Sequence, residues 1–136
     1  MELKDWCQDV NGVRVRSSME ISKISFPESI YANENLSSLD FWNSSRVRNI
    51  NSFLSDFKID MLWELGAGDG RVSTPLQNYG KKVIAVEPIY DGCKKIARSG
   101  IPVFCATLKD LEMPSGSLTC IGMFDVLEHI EQESEF

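Results

Sequence analysis

The stretch Leu62-Trp63-Glu64-Leu65-Gly66-Ala67-Gly68-Asp69-Gly70-Arg71 decides the fold. Met61 to Leu65 is a short apolar run that ends in glycines, the pattern of a buried strand, and Val72 to Tyr79 then reads as a helix. Glycines at 66, 68 and 70 let the backbone take positive φ and let a ligand approach with no Cβ in the way. A helix starting there offers unpaired amides and the positive end of its dipole. Glu87 closes the next apolar segment, 17 residues beyond Gly70, where a carboxylate can accept both hydroxyl protons of a ribose. Each feature has a plain structural reading: glycines serve tight packing, and a strand-end acid is a solvated charge. Their conjunction, in strand-helix-strand order, points to a nucleoside-bearing cofactor.

Outward from the turn, the alternation continues. Lys82 to Val86 reads as a second strand, Asp91 to Ser99 as a helix stopped by Gly100, and Ile101 to Cys105 as a third strand. Pro114-Ser115-Gly116-Ser117 is a turn, Leu118 to Phe124 a fourth strand, and Asp125 onward a helix. Pro75 is compatible with the first helix because first-turn amides have no intrahelical partner to lose. Such a series predicts an α/β fold, a Rossmann-like mostly parallel sheet with flanking helices. Upstream, Ser37-Ser38-Leu39-Asp40 has the spacing of a helix cap, and Ile50, Phe53, Leu54 and Phe57 share one face of a helix ending near Lys58. Residues 1–35 read as an N-terminal extension. In it Val13-Arg14-Val15-Arg16 alternates like a short strand, and Ile21, Ile24 and Phe26 are placed to cover a core edge. Residues 36–136 read as the cofactor-binding domain.

Composition bounds the partners. The 136 residues are 43% hydrophobic, enough for a core, and carry a net charge of -6. With no Lys/Arg stripe, a nucleic-acid backbone is disfavoured as a partner. The start has no basic-then-apolar signal pattern and no run reaches the ~18 residues of a membrane span. Cys7, Cys93, Cys105 and Cys120 are widely spaced and there is one histidine. Buried free thiols in a reducing, cytoplasmic compartment are therefore expected, with neither a metal site nor a disulfide framework.

The glycine spacing narrows the cofactor. Dinucleotide folds favour G-x-G-x-x-G beneath a pyrophosphate; here the pattern is G-x-G-x-G, with Glu64 two residues before it. That negative charge suits a cationic ligand better. Trp63 to Arg71 resembles motif I of the class I S-adenosylmethionine-dependent methyltransferases. Val83-Ile84-Ala85-Val86-Glu87-Pro88 resembles their second strand with its ribose-binding acid. Asp110 to Pro114, with Ser117-Leu118, is similar to the segment after their third strand, and Phe124-Asp125-Val126-Leu127-Glu128-His129-Ile130 to their fourth motif. Phe41-Trp42 with Arg46 resembles the helix before motif I in the type 11 and type 23 subgroups. The likeness runs from about Tyr31 to Phe136.

That resemblance implies S-adenosyl-L-methionine as cofactor and a small-molecule methyl acceptor. Glu64 and the Gly66-Ala67-Gly68 backbone, with Gly70 completing the turn, would hold the methionine amino group and floor the site. Glu87 would take the ribose hydroxyls, with Pro88 and Ile89 beside the adenine. Where relatives place an acid near the adenine amino group this chain has Thr107, with the Leu108 backbone as the substitute contact. Phe124 would lie against the methionine portion, and Trp42 and Arg46 would lid the site or pack on the sheet.

Methyl transfer from a sulfonium needs alignment and exclusion of water more than a nucleophilic side chain. A base is required only when the acceptor must lose a proton. His129 is the one candidate base, its plainer role being to pack or cap at a helix start. Family members continue for about three more strands beyond the fourth motif. The missing C-terminal part of the sheet predicts an apparently truncated domain, whose exposed edge would favour self-association or a protein partner. Two other readings compete: a nicotinamide-dependent oxidoreductase, and a non-catalytic Rossmann-like module that binds a protein.

Overall fold

Strands buried on both faces read as nearly continuous apolar runs, and this chain's central strands have that character. The computed structural model describes residues 5–17 and 37–126. In chain order these form β1 (Trp6–Gln8), β2 (Arg14–Arg16), α1 (Ser37–Asp56), β3 (Met61–Leu65), α2 (Ser73–Asn78), β4 (Lys82–Glu87), α3 (Tyr90–Arg98), β5 (Val103–Cys105), α4 (Leu108–Leu111) and β6 (Ile121–Met123). One six-stranded sheet runs β1-β2-β5-β4-β3-β6. All its pairings are parallel except the β1–β2 hairpin. This is the Rossmann-like α/β architecture expected from the sequence.

Side chains alternate across a strand, so each strand feeds two layers. Leu62, Val83, Ala85, Val103 and Cys105 meet Val47 and Leu54 of α1, Leu76 of α2 and Ile96 of α3 on one face. Trp63, Leu65, Val86 and Phe104 face the other way, under Trp6, Leu111, Met113 and Leu118. By the same alternation Glu64 and Glu87 lie on the helix-covered face, at the carboxyl ends of neighbouring strands. Parallel sheets present their ligands at that end.

The hairpin extends the sheet on the β5 side. Val13 to Arg16 supplies β2, as its alternation suggests, while Ile21, Ile24 and Phe26 lie outside the described residues. Trp6 meets Phe104 edge-on, centroids 5.2 Å apart, and Arg14 stands 5.0 Å over the same ring. Arg16 pairs with Glu112 at 2.8 Å. Tyr90 accepts from the Asn11 amide at 2.9 Å and donates to the Asp9 carboxylate.

Several expectations are corrected. In α1 the buried positions are Val47 and Leu54, with Ile50 partly covered; Phe53 and Phe57 are exposed and pack on each other, centroids 4.6 Å apart. The stripe at i, i+3 and i+7 meets the sheet, and the two phenylalanines fall beside it. The helix after the turn begins at Ser73 and ends at Asn78, with Pro75 in its first turn. β5 begins at Val103 because Pro102 has no amide for the ladder, although its carbonyl accepts from Ala85 at 2.9 Å. β6 is shorter than 118–124: Leu118 packs against the second layer instead of pairing. Asp125 has φ 57°, so no helix starts there, and residues from 127 on lie outside the described ones.

Phe104 joins the hairpin to the central strands and is 1% exposed. Phe104→Ala should therefore cost roughly 3–5 kcal/mol in urea denaturation and speed hydrogen exchange at Val15. Val10→Ala, at a fully exposed position, should leave both unchanged.

Candidate functional site

The turn after β3 is built from positive φ at Gly66, Gly68 and Gly70, 69°, 59° and 85°. It is tied down by its neighbour strand. The Gly66 and Ala67 amides donate to the Val86 carbonyl at 2.8 and 3.2 Å. The Gly68 amide donates to Glu87 Oε2 at 2.7 Å, and the Ile89 amide to Glu87 Oε1 at 2.9 Å. Glu87 thus organises the turn and its own loop while only 3% exposed.

Helix α3 presses on the turn from the other side. A Cβ on Gly92 would stand 2.2 Å from the Gly68 carbonyl oxygen. A helix-interior glycine costs about 1 kcal/mol relative to alanine, and this close approach is what requires it. Two thiols brace the loop from below. Cys93 Sγ donates to the Glu87 carbonyl at 3.1 Å, and Cys105 Sγ to the Pro88 carbonyl at 3.7 Å. The hydrogen bond with Cys105, reinforced by burial, pushes the Cys93 thiol up and keeps it a donor.

A cleft of about 180 Å³ opens in front of the turn, walled by Arg46, Glu64, Gly66, Ala67, Gly68 and Phe124 among others. A neighbouring cavity of about 230 Å³ shares Arg46, Arg71 and Asp125 with it and adds Trp42 and Asn43. Glu64 is 2% exposed, and its carboxylate accepts from the Ser73 hydroxyl. On the same cleft Arg46 pairs with Asp125 and donates to Asn43 Oδ1 at 3.4 Å. Its Nε is buried and meets no acceptor among the described residues.

Six of the residues singled out in the sequence therefore converge on one cleft. Glu87 and Pro88 stand just behind it, at the end of β4. Gly70 does not line it: a Cβ there would meet Ile96 of α3 at 3.0 Å, so this glycine serves helix packing. Thr107 is the N-cap of α4, its hydroxyl accepting from the Asp110 amide at 3.3 Å while Asp110 accepts the Thr107 amide at 2.8 Å. Its polar groups are spent on the helix, and Leu108 packs on the second layer. The Thr-x-x-Asp spacing of a capping box was the available signal. His129 lies outside the described residues. Sequence reasoning missed Ser73, Asp69, Arg71 and Asp125. Asp125 depends on Arg46, 79 residues away, while Asp69 with Arg71 and Ser73 with Glu64 are pairings within the turn region that carry no spacing signal of their own.

Desolvation pushes the Glu64 carboxyl up to about 7; Ser73 and Arg46 oppose the rise and Glu87 adds to it. The folded chain thus holds a proton that the unfolded chain, at an ordinary 4.5, has released. This contribution to stability is full below about pH 4.5 and is lost as pH rises through 7, a change of roughly 3 kcal/mol. Urea denaturation from pH 4.5 to 8 should show the native chain losing stability relative to Glu64→Gln by about that amount. Parallel pH curves would mean that Glu64 is ionised throughout.

No curated protein matches the chain. A family model described as a methyltransferase domain, of type 11, matches residues 63–136. The matched segment runs from β3 through β6, and so takes in the glycine turn, Glu87 and Phe124. On this match, and on the parallel sheet that carries the turn, the chain belongs to the class I methyltransferase domain family.

Proposed function

We propose that the chain binds S-adenosyl-L-methionine and transfers its methyl group to a small molecule by in-line displacement. The observation that carries this reading is a pairing of opposites on one cleft. Glu64 is a buried acid, and Arg46, which lines the same cleft, has a buried Nε–H with no acceptor among the described residues. An α-amino acid end fits that pair, its ammonium against Glu64 and its carboxylate against Arg46.

The other residues fit the same ligand. The Gly66-Ala67-Gly68 backbone leaves room for close approach and would floor the site. Glu87 would take ribose hydroxyls, and Pro88 would lie beside the adenine. Phe124 would wall the methionine portion. When bound, the sulfonium supplies an electrophilic methyl. The protein's part is to hold the donor in line with its acceptor and to keep water out.

A cationic donor also explains why an acid is retained where burial opposes its charge. The ammonium would favour ionised Glu64, so binding should release a proton near neutral pH. Residues 36–136 would form the functional unit, and the free thiols of Cys93 and Cys105 accord with a reducing, cytoplasmic setting. The net charge of -6 supports a small-molecule acceptor over a nucleic acid.

Calorimetric titration with S-adenosylhomocysteine should give one site per chain, and NAD should give no thermal shift. Glu87→Gln should weaken S-adenosylhomocysteine binding about ten- to a hundredfold, the scale of hydrogen bonds to a charged group. A folded chain with no affinity for S-adenosylhomocysteine sinks the reading; unchanged affinity in Glu87→Gln removes the ribose assignment.

A further inference from the structure

Beyond the cleft assigned to the methyl donor lies the neighbouring cavity of about 230 Å³, walled by Trp42, Asn43, Arg46, Arg71 and Asp125. It adjoins the donor cleft through three shared residues, Arg46, Arg71 and Asp125, so a molecule in it would lie beside the donor cleft. Its donors outnumber its acceptors. Arg71 meets Asp69 only through Nε, 3.2 Å from each carboxylate oxygen. Its two terminal nitrogens have no acceptor among the described residues, and its side chain is 44% exposed.

The Arg71 backbone is held from α1, and its guanidinium by Asp69. The Asn43 amide donates to the Arg71 carbonyl at 2.9 Å, and Asn43 Oδ1 accepts from Arg46. These contacts link α1 to the turn. The Asp125 and Asp69 carboxylates are each held by an arginine. Trp42, beside them, is 75% exposed, a large apolar surface facing a polar cavity. A planar fork of N–H donors beside an indole suits a carboxylate on a flat skeleton: the fork matches the two oxygens, and the ring face takes the carbon frame.

Resting on the methyl-donor reading above, we propose that this cavity receives the acceptor, and that the acceptor is a planar carboxylic acid bound by Arg71 and Trp42. Such an acceptor arrives ionised, so no side chain has to remove a proton. One carboxylate oxygen attacks the methyl carbon. A C–O bond forms as the C–S bond breaks, and the bonding pair passes to sulfur. The products are a methyl ester and a neutral thioether, and no proton moves. The ester has lost the charge that Arg71 held, which favours its release.

The probe is benzoate, titrated calorimetrically into the full chain saturated with S-adenosylhomocysteine, with benzamide as its neutral counterpart. Benzoate should bind at least about tenfold more tightly than benzamide, as expected for a charge-assisted pair. Arg71→Gln should cost benzoate about tenfold or more, and Arg71→Lys less. Trp42→Ala should weaken benzoate and benzamide alike. All three variants should melt within a few degrees of the native chain, and each is titrated with benzoate and benzamide at S-adenosylhomocysteine saturating for that variant. If S-adenosylhomocysteine binds but benzoate does not, or binds no better than benzamide, or is indifferent to Arg71→Gln, the acceptor proposal is overturned alone. If S-adenosylhomocysteine itself fails to bind the folded chain, the donor reading falls and takes this proposal with it.

Discussion

The Glu87 carboxylate is the constraint on which the rest of the site depends. By accepting the Gly68 amide at 2.7 Å and the Ile89 amide at 2.9 Å, it joins the loop after β4 to the turn after β3. Without it, two adjacent loops of positive-φ and irregular backbone would have separate freedom. With it, they form one rim at the carboxyl end of the sheet. A buried carboxylate is tolerated because charge-assisted hydrogen bonds replace its water. Gly92 lets α3 come up under the same rim, and the Cys93 and Cys105 thiols support its carbonyls.

Glu64 lives under the opposite condition. Its neighbours leave burial as the dominant influence, so its carboxyl sits near 7. Two acids on the same face of adjacent strands raise one another's cost, and only Glu87 has two backbone amides against it among these contacts. Such a conflict is a local departure from the arrangement that stability would favour, and departures of this kind concentrate at functional sites. A cation entering the cleft relieves it. The same logic applies to Arg46, whose Nε is buried without an acceptor among the described residues. Demands of opposite sign within one cleft define what it accepts more sharply than its volume does.

Legibility in the sequence followed the range of the interactions. Central strands, the glycine turn and Glu87 were readable because strand and helix periods are local, and a turn's glycines stand together. The edges were read less well. β2 was visible as an alternation, but its place beside β5 depends on Trp6 and Arg14 reaching Phe104, ninety or more residues away. Phe53 and Phe57 share a helical spacing with Ile50, yet spacing does not say which of two adjacent stripes meets the sheet. Gly70 looked like part of the cradle and proved to be a contact for Ile96. Thr107 looked like a ligand and proved to be a cap, although its spacing to Asp110 was there to be read.

By itself, the sequence determined the fold class, the alternation of strands and helices from β3 to β6, and the position of the turn and its acid. All of these rest on periodicity and short-range spacing; the family followed from the resemblance of its motifs. Only the tertiary structure decided what Glu64 and Arg46 face, that Gly92 must be a glycine, and that Trp42, Asn43 and Arg71 gather beside the turn. Those facts come from contacts between segments distant in the chain, whose meeting is set by how the helices of one layer pack across a twisted sheet.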